Sequence, residues 1–252
     1  MIDRRKALLG SAAGLLLAGC DKVVQDPAVQ KTLARAEGLT LKAQRTLIPR
    51  AALAPEFSPA DISPDFRANG TTDPQDYEYL ALRDAAFADY RLIVDGLVER
   101  PLELSLAQLR ALPARAQITR HDCVEGWSSI GKWTGARLSA VLRAAGLKPQ
   151  AKYVVFHCFD TLEPTLDNTG RYYESLDLVD AFHEQTILAY EMNDRPLAVK
   201  HGAPLRLRVE RQLGYKQAKY VMRIEAVEDF AALGRGQGGF WEDRGYEWYA
   251  GI

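Results

Sequence analysis

Thr119–Trp133 reads Thr-Arg-His-Asp-Cys-Val-Glu-Gly-Trp-Ser-Ser-Ile-Gly-Lys-Trp, and the rest of the chain is organised around it. His121, Asp122, Cys123 and Glu125 fall within five positions, with Gly126, Trp127, Ser128 and Ser129 directly behind them. Such neighbours do not make an apolar pocket for a buried thiol. A short apolar strand, Ala116 to Thr119, leads in. Trp133-Thr134-Gly135 opens a helix over Arg137–Ala145, with Leu138, Val141, Leu142 and Ala145 on one face and Gly146 as its stop. The stretch therefore reads as a loop between a strand and a helix, where scaffolds tend to present chemistry. In extended chain His121 and Cys123 share a face. Three roles stay open for Cys123 at this point: a thiolate nucleophile beside His121, a metal ligand, or a disulfide partner of Cys158.

Outward from that loop, short strands predominate. Tyr90–Val94, the apolar run Lys152–Phe159, Leu205–Val209 and Tyr220–Val227 have strand character, and Thr186–Tyr190 is a short apolar segment. Ser105 caps a short helix stopped by Pro113, and a second brief helix is expected over Leu176–Phe182. Phe66 to Pro74 is a polar, turn-rich loop. The tail from Gly236 carries Phe240, Trp241, Tyr246, Trp248 and Tyr249, an aromatic density that predicts packing against the body. Brief, scattered helices among short strands indicate a mixed α+β, strand-rich domain rather than a wound α/β sheet.

The chain has 252 residues, 47% hydrophobic and 26% charged, with a net charge of -1, which gives no electrostatic reason for a nucleic-acid partner. Three cysteines without a CxxC pair make neither a disulfide scaffold nor a structural zinc site. Residues 1–20 read as an export signal. Arg4, Arg5 and Lys6 precede an apolar run, Ala7–Ala18, too short to span a bilayer, and Leu17-Ala18-Gly19-Cys20 resembles a bacterial lipoprotein site with Cys20 lipidated. Arg4-Arg5 with Leu8-Leu9 also resembles a twin-arginine signal. A periplasmic, membrane-anchored lipoprotein is the expectation. Residues 21–65, rich in Pro and Ala, read as a tether with a short helix at Ala28–Ala36, and residues 66–252 as the domain.

Two further motifs lie downstream. In His201-Gly202-Ala203-Pro204-Leu205-Arg206-Leu207-Arg208, Arg206 and Arg208 face one side, and a solvated edge is the expectation for Arg208. In Gly214-Tyr215-Lys216-Gln217-Ala218-Lys219, a glycine, two lysines and an amide suit an anion such as a phosphate, though the segment is not a P-loop. Neither a Rossmann glycine fingerprint nor a Gly-x-Ser-x-Gly elbow is present.

Taken in order, Cys123-Val124-Glu125-Gly126-Trp127-Ser128 with Trp133, then His201 to Arg206, then Gly214 to Lys219, resemble the molybdopterin-binding domain of the sulfite oxidase superfamily, in its bacterial exported branch. The resemblance runs from about Phe66 onward. It implies a sulfite-oxidase-type fold and a molybdenum-molybdopterin cofactor, with Cys123 as the metal's thiolate ligand, a soft donor suited to such a metal. It places Asn69 of the upstream loop on the pterin, with Thr72 and Asp73 as further candidates. His201 stands where the family often has Asn, Arg206 matches a cofactor-binding arginine, and Gln217, Ala218 and Lys219 match the segment that cradles the phosphate end. Cys158 falls near a threonine that contacts the cofactor. His121, Glu125, Trp127, Ser128 and Trp133 are the pocket candidates.

The implied reaction is oxygen-atom transfer to or from a small molecule. Sulfite oxidases bring arginines close to the ligand cysteine. Here none follows Cys123 directly, although Arg120, Lys132 and Arg171 could reach in, so a sulfoxide or N-oxide is favoured over sulfite. A sulfite-type oxidase, a Cys/His thiol enzyme and a non-catalytic binding lipoprotein are the alternatives. With no CxxCH haem motif, electrons are expected from a separate partner, for which a membrane haem protein is a candidate.

Overall fold

The computed structural model describes residues 26–166 and 169–252. Residues 1–25 lie outside that description, and with them the signal and Cys20. The chain divides into two compact units, one ending at Pro49 and one spanning Arg50–Ile252.

In the first unit, α1 covers Pro27–Leu47, 21 residues, longer than the short helix expected at Ala28–Ala36. Asp26 caps it, its carboxylate accepting from the Ala28 and Val29 amides at 2.8 and 3.4 Å, and Pro27 sits at the first helical position. No proline interrupts the sequence between Pro27 and Pro49, and the helix ends where Pro49 disfavours helical backbone at Ile48. Among the described residues no helix is long and apolar enough to cross a membrane.

The second unit begins at Arg50, not Phe66. Residues 50–65, expected as tether, lie along the hairpin below as a strap. Glu56 bridges Thr119, the Phe57 amide donates to the Ile118 carbonyl at 2.9 Å, and the Ser63 amide donates to the Ile130 carbonyl at 3.0 Å. Covering a free strand edge in this way removes unpaired backbone groups that would otherwise need water.

Among the described residues, ten strands form two five-stranded sheets. The first sheet holds β1 (Arg91–Gly96), β2 (Leu102–Ser105), β5 (Tyr153–Thr161), β6 (Arg171–Asp177) and β10 (Val221–Val227), in the order β2-β1-β10-β5-β6. Only β1 and β10 run parallel in it. The second holds β3 (Ala114–Asp122), β4 (Ser128–Arg137), β7 (Ile187–Met192) and β8 (Arg195–Pro196), in that order, with β9 (Arg206–Arg208) on the other part of β7. Helices are short: α2 (Tyr77–Asp84), α3 (Leu106–Ala111), α4 (Leu138–Ala145) and α5 (Leu178–Ala181). The architecture is mixed α+β and strand-rich.

Local chemistry explains most boundaries. Ser105 and Gln108 make a reciprocal capping box that starts α3. On α4, Leu138, Val141, Leu142 and Ala145 are fully buried, each of the larger three worth about 1.5–3 kcal/mol by burial alone. Two expected elements are corrected. Ser128–Arg137 is strand, so Cys123 sits at the tip of a β-hairpin and not between strand and helix. The segment expected as helix over Leu176–Phe182 begins as the end of β6, because Leu176 pairs with Val154 and the cap is Asp177, leaving only one turn of helix.

Candidate active site

The β3/β4 hairpin pairs Asp122 with Ser128 and leaves five residues to turn. Within the turn the Cys123 amide donates to the Trp127 carbonyl at 3.0 Å, and the Gly126 amide to the Cys123 carbonyl at 3.0 Å. Gly126 takes φ +83°, a left-handed conformation that a side chain would disfavour. These bonds fix Cys123 in the lining of an open cavity of about 940 Å³, counting the space continuous with solvent. The residue is 8% exposed, and the Asn69 side-chain amide donates to its sulfur at 3.2 Å. Burial pushes the thiol's pKa up, against the Glu125 backbone amide and Asn69, which favour the thiolate. A bound cation at the sulfur would deprotonate it.

Asn69 is held there from the far end of the sequence. Lys219 Nζ donates to the carbonyls of Asn69 (2.8 Å), Thr71 and Lys200 (3.4 Å), and the Tyr220 hydroxyl donates to the Thr71 carbonyl at 2.8 Å. Lys219 is thus a strut for the 69–71 loop as well as a charge at the cavity. Burial, then the Arg206 charge, pull its pKa down to about 7, while burial lifts nearby Asp160 to about 6.

The wall behind is cationic. Arg206 donates to the His201 carbonyl at 3.0 Å and the Gln217 carbonyl at 3.4 Å, and its guanidinium lies 4.9 Å from the Trp133 ring centroid. Arg208, expected on a solvated edge, is fully buried. It pairs with Glu210, lies 4.4 Å from the same Trp133 ring and donates from Nη1 to His121 Nδ1 at 3.1 Å. Burial here is possible because Glu210 neutralises the arginine within the fold and accepts from Gln117 at 2.8 Å. Burial, then Arg208 and Arg206, hold His121 neutral. Since an arginine can only donate, His121 Nδ1 accepts and Nε2 carries the proton. Gly214 lies so near that a Cβ there would be 2.5 Å from His121 Nε2. Both ring nitrogens are therefore turned to Arg208 and Gly214. His201 packs edge-on against Phe66, ring centroids 5.7 Å apart, and burial followed by the Arg206 charge pulls its pKa to about 4.

The cavity gathers Cys123, Asn69, His121, Glu125, His201, Arg206, Gln217 and Lys219 from the sequence expectations. It does not gather the others. Trp127 hydrogen-bonds Glu125 at 2.9 Å at the rim, and Ser128 bonds Asp122 behind the turn. Trp133 is buried beneath the two arginines. Thr72 is exposed, and Asp73 pairs with Arg83 at 3.0 Å. Ala218 and Cys158 are buried in the core, and burial drives the Cys158 thiol well above its usual pKa. Cys123 and Cys158 are free thiols, so the disulfide option falls. Arg120, Lys132 and Arg171 do not line the cavity, and their partners are Asp122, Asp194 and Asp76.

Sequence reasoning missed Arg67, Thr71, Asp160, Tyr172, Lys200, Tyr215, Trp241 and Tyr246 as cavity residues. For Trp241 and Tyr246 the aromatic tail was a usable signal; for Asp160 there was none beyond an acid at the end of an apolar strand. It also misread Lys216, which does not reach the cavity. Lys216 is fully buried between Glu174 and Glu242, both buried too.

Buried polar atoms without a protein partner test whether an anionic, polar cofactor fits. Among cavity residues they are Arg206 Nε, Gln217 Oε1 and Asp160 Oδ1. Buried polar groups are normally satisfied, and a ligand carrying both donors and acceptors satisfies these. With Arg206 and Lys219 supplying charge and Cys123 a soft donor, the residues fit a pterin-bound soft metal.

Comparison with known proteins identifies the family. A family model described as oxidoreductase molybdopterin binding domain matches residues 79–232. A putative protein-methionine-sulfoxide reductase subunit, YedZ1 of Azospira oryzae, is 34% identical over 248 residues, covering 98% of this chain and 86% of that protein. The protein-methionine-sulfoxide reductase catalytic subunit MsrP of Campylobacter jejuni is 32% identical over 150 residues, 56% of this chain and 50% of that protein. MsrP of Xanthomonas campestris is 35% identical over 166 residues, 62% and 49%. The chain thus spans about half the length of these two subunits. Among solved structures, the sulfane dehydrogenase SoxCD of Paracoccus pantotrophus aligns with a TM-score of 0.49 at 24% identity, over 56% of this chain and 39% of that one.

Proposed function

Because the chain belongs to the oxidoreductase molybdopterin-binding domain family, and is a molybdopterin-dependent oxidoreductase, we propose that it reduces a sulfoxide with electrons from a separate partner. The bound molybdenum cofactor supplies two-electron exchange with an oxygen-atom donor. In balance, the sulfur–oxygen bond breaks, two electrons and two protons are consumed, and a thioether and water are released. Cys123 holds the metal, and Asn69 stabilises its thiolate. Arg206, His201 and Gln217 bind the pterin, and Lys219 fixes the loop that carries Asn69.

The observation that carries the substrate reading is that the three cations the sequence offered for an oxyanion, Arg120, Lys132 and Arg171, do not line the cavity, which leaves Arg67 and Lys200 as its solvent-exposed cations. An oxyanion such as sulfite needs cations within reach. Arg120, Lys132 and Arg171 are paired away from the cavity, and Arg67 at the rim lies 3.8 Å from Glu125. The relatives named as methionine-sulfoxide reductase subunits support the same reading. The thiol-enzyme reading loses ground on two counts. His121 turns neither nitrogen to Cys123, and the Cys123 pKa is raised where a nucleophile needs it lowered.

The test is protein made in a host that assembles the cofactor. We expect about one molybdenum per chain and oxidation of a reduced viologen dye driven by sulfoxides but not reversed by sulfite; molybdenum-loaded protein inert to every sulfoxide and active on sulfite would replace this reading by the sulfite-type one.

Export and anchoring complete the proposal. The basic start, apolar run and Leu-Ala-Gly-Cys sequence support lipidation at Cys20 on the periplasmic side, and a membrane haem protein is the electron source in keeping with that position. Fatty-acid labelling that persists in Cys20→Ala protein would refute the anchor.

A further inference from the structure

The cavity lining holds two chemically different groups of residues. One is buried and polar, made by Asn69, His201, Arg206 and Gln217. The other is aromatic and closer to solvent, made by Tyr215, Trp241 and Tyr246 with Leu162 beside them. Trp241 and Tyr246 stack with ring centroids 5.3 Å apart at 28°, and Tyr215 meets Tyr246 edge-on at 5.2 Å. Tyr246 is 40% exposed although it lines the cavity.

This aromatic group is held rigidly. Lys216 lies between Tyr215 and Gln217 in sequence, and its ammonium joins Glu174 of β6 to Glu242, the neighbour of Trp241. The Tyr215 hydroxyl donates to the Glu247 carbonyl at 2.6 Å, and the Tyr246 amide to the Trp241 carbonyl at 3.1 Å. The Tyr172 hydroxyl bonds the Tyr215 carbonyl from inside. Two segments distant in sequence therefore present one fixed aromatic wall.

A polar, anionic cofactor has its partners in the polar group, to which the unpartnered atoms of Arg206 and Gln217 belong. Aromatic faces carry negative potential. They disfavour an oxyanion, whereas they welcome apolar groups and make favourable contacts with sulfur. We infer that Tyr246, backed by Trp241 and Tyr215, is the specificity-determining wall that receives the apolar arms of the sulfoxide, so that bulky alkyl or aryl sulfoxides are preferred to compact ones.

The inference rests on the sulfoxide reading, and the experiment separates the two. The readout is the ratio of KM for dimethyl sulfoxide to KM for methyl p-tolyl sulfoxide in the molybdenum-loaded enzyme. Tyr246→Ser is expected to lower this preference about tenfold, the scale of discrimination by apolar contact in a pocket. Tyr246→Phe keeps the ring and is expected to restore the parent ratio. Calorimetric titration of the oxidised holoenzymes with methyl p-tolyl sulfoxide reads binding independently of turnover, and the affinity is expected to fall about tenfold in Tyr246→Ser alone. An unchanged ratio in Tyr246→Ser, or a Tyr246→Phe ratio that follows it, overturns the wall and leaves sulfoxide reduction standing. Sulfoxide binding that weakens in Tyr246→Ser, in protein whose parent reduces no sulfoxide, keeps the wall and overturns the reaction.

Discussion

Cys123→Ala abolishes sulfoxide-driven dye oxidation, by about a thousandfold or more, while pterin remains bound. The scale follows from position. Loss of a group that only supports a metal ligand typically costs about 10–100-fold, and Cys123 is proposed as the ligand itself. Asn69→Ala, which removes the amide 3.2 Å from the sulfur, supplies the graded comparison at about 10–100-fold. Pterin persists because its proposed partners, Arg206, His201 and Gln217, come from other elements and are untouched by the change. Fluorescence of the oxidatively released pterin measures retention, and dye oxidation measures turnover. Cys123→Ala protein that reduced sulfoxides at the parent rate would remove Cys123 from the chemistry.

The second large effect concerns stability. Lys216→Met leaves Glu174 and Glu242 buried together without their cation. Breaking a buried ionic group by removing one partner costs about 3–5 kcal/mol, and for a unit of this size that is a fall in melting temperature of roughly 6–20 °C. Burial, then the Glu242 charge, already lift the Glu174 pKa well above the ordinary carboxylate value, and Lys216 opposes the lift. A carboxyl whose pKa is raised on folding binds its proton more tightly in the native state, so its contribution to stability falls as pH rises. Lys216→Met is therefore expected to lose more stability between pH 5 and pH 8 than the parent does. Adding Glu174→Gln, which removes one buried charge, restores part of the loss. A melting temperature within about 2 °C of the parent at pH 8 would show that the triad is not an energetic anchor.

Much of the fold was legible because hydrophobic pattern and capping act locally. The run Lys152–Phe159 became β5, and Ser105 capped α3 where expected. The hairpin strand β4 was not legible, for a definite reason. Its inward positions are Ser129, Gly131, Trp133 and Gly135, so glycines stand where an alternating pattern would show large apolar residues. They do so because other groups approach: a Cβ on Gly135 would lie 2.2 Å from the Leu188 carbonyl oxygen, and one on Gly131 3.2 Å from the Phe66 ring. Tertiary contact erased the periodicity.

The site shows the same division. Cys123, His201, Arg206 and Lys219 could be chosen from sequence because their motifs are contiguous. By residue type alone Lys216 and Lys219 look alike in one motif, and only the resemblance singles out Lys219; the short turn Gly214–Lys216 sends one into a buried ion triad and the other to the 69–71 loop. Arg208 was misjudged because its burial depends on Glu210 and His121, a pairing the alternation of Arg and Leu does not reveal.

The parallel pairing of β1 with β10 constrains how the molecule comes into being. Ile93 sits beside Arg223 and Gly96 beside Ala226, contacts that span about half the chain, and β10 is the strand between β1 and β5. While a ribosome is still making the middle of the protein, the first sheet is split in two at its centre. Lys219, which steadies the loop beside Cys123, arrives with the same late segment. Contacts of such long sequence separation form slowly and leave strand edges open in the meantime. The first sheet is thus completed late, and a nascent chain stalled before Val221 lacks the strand that joins its two halves.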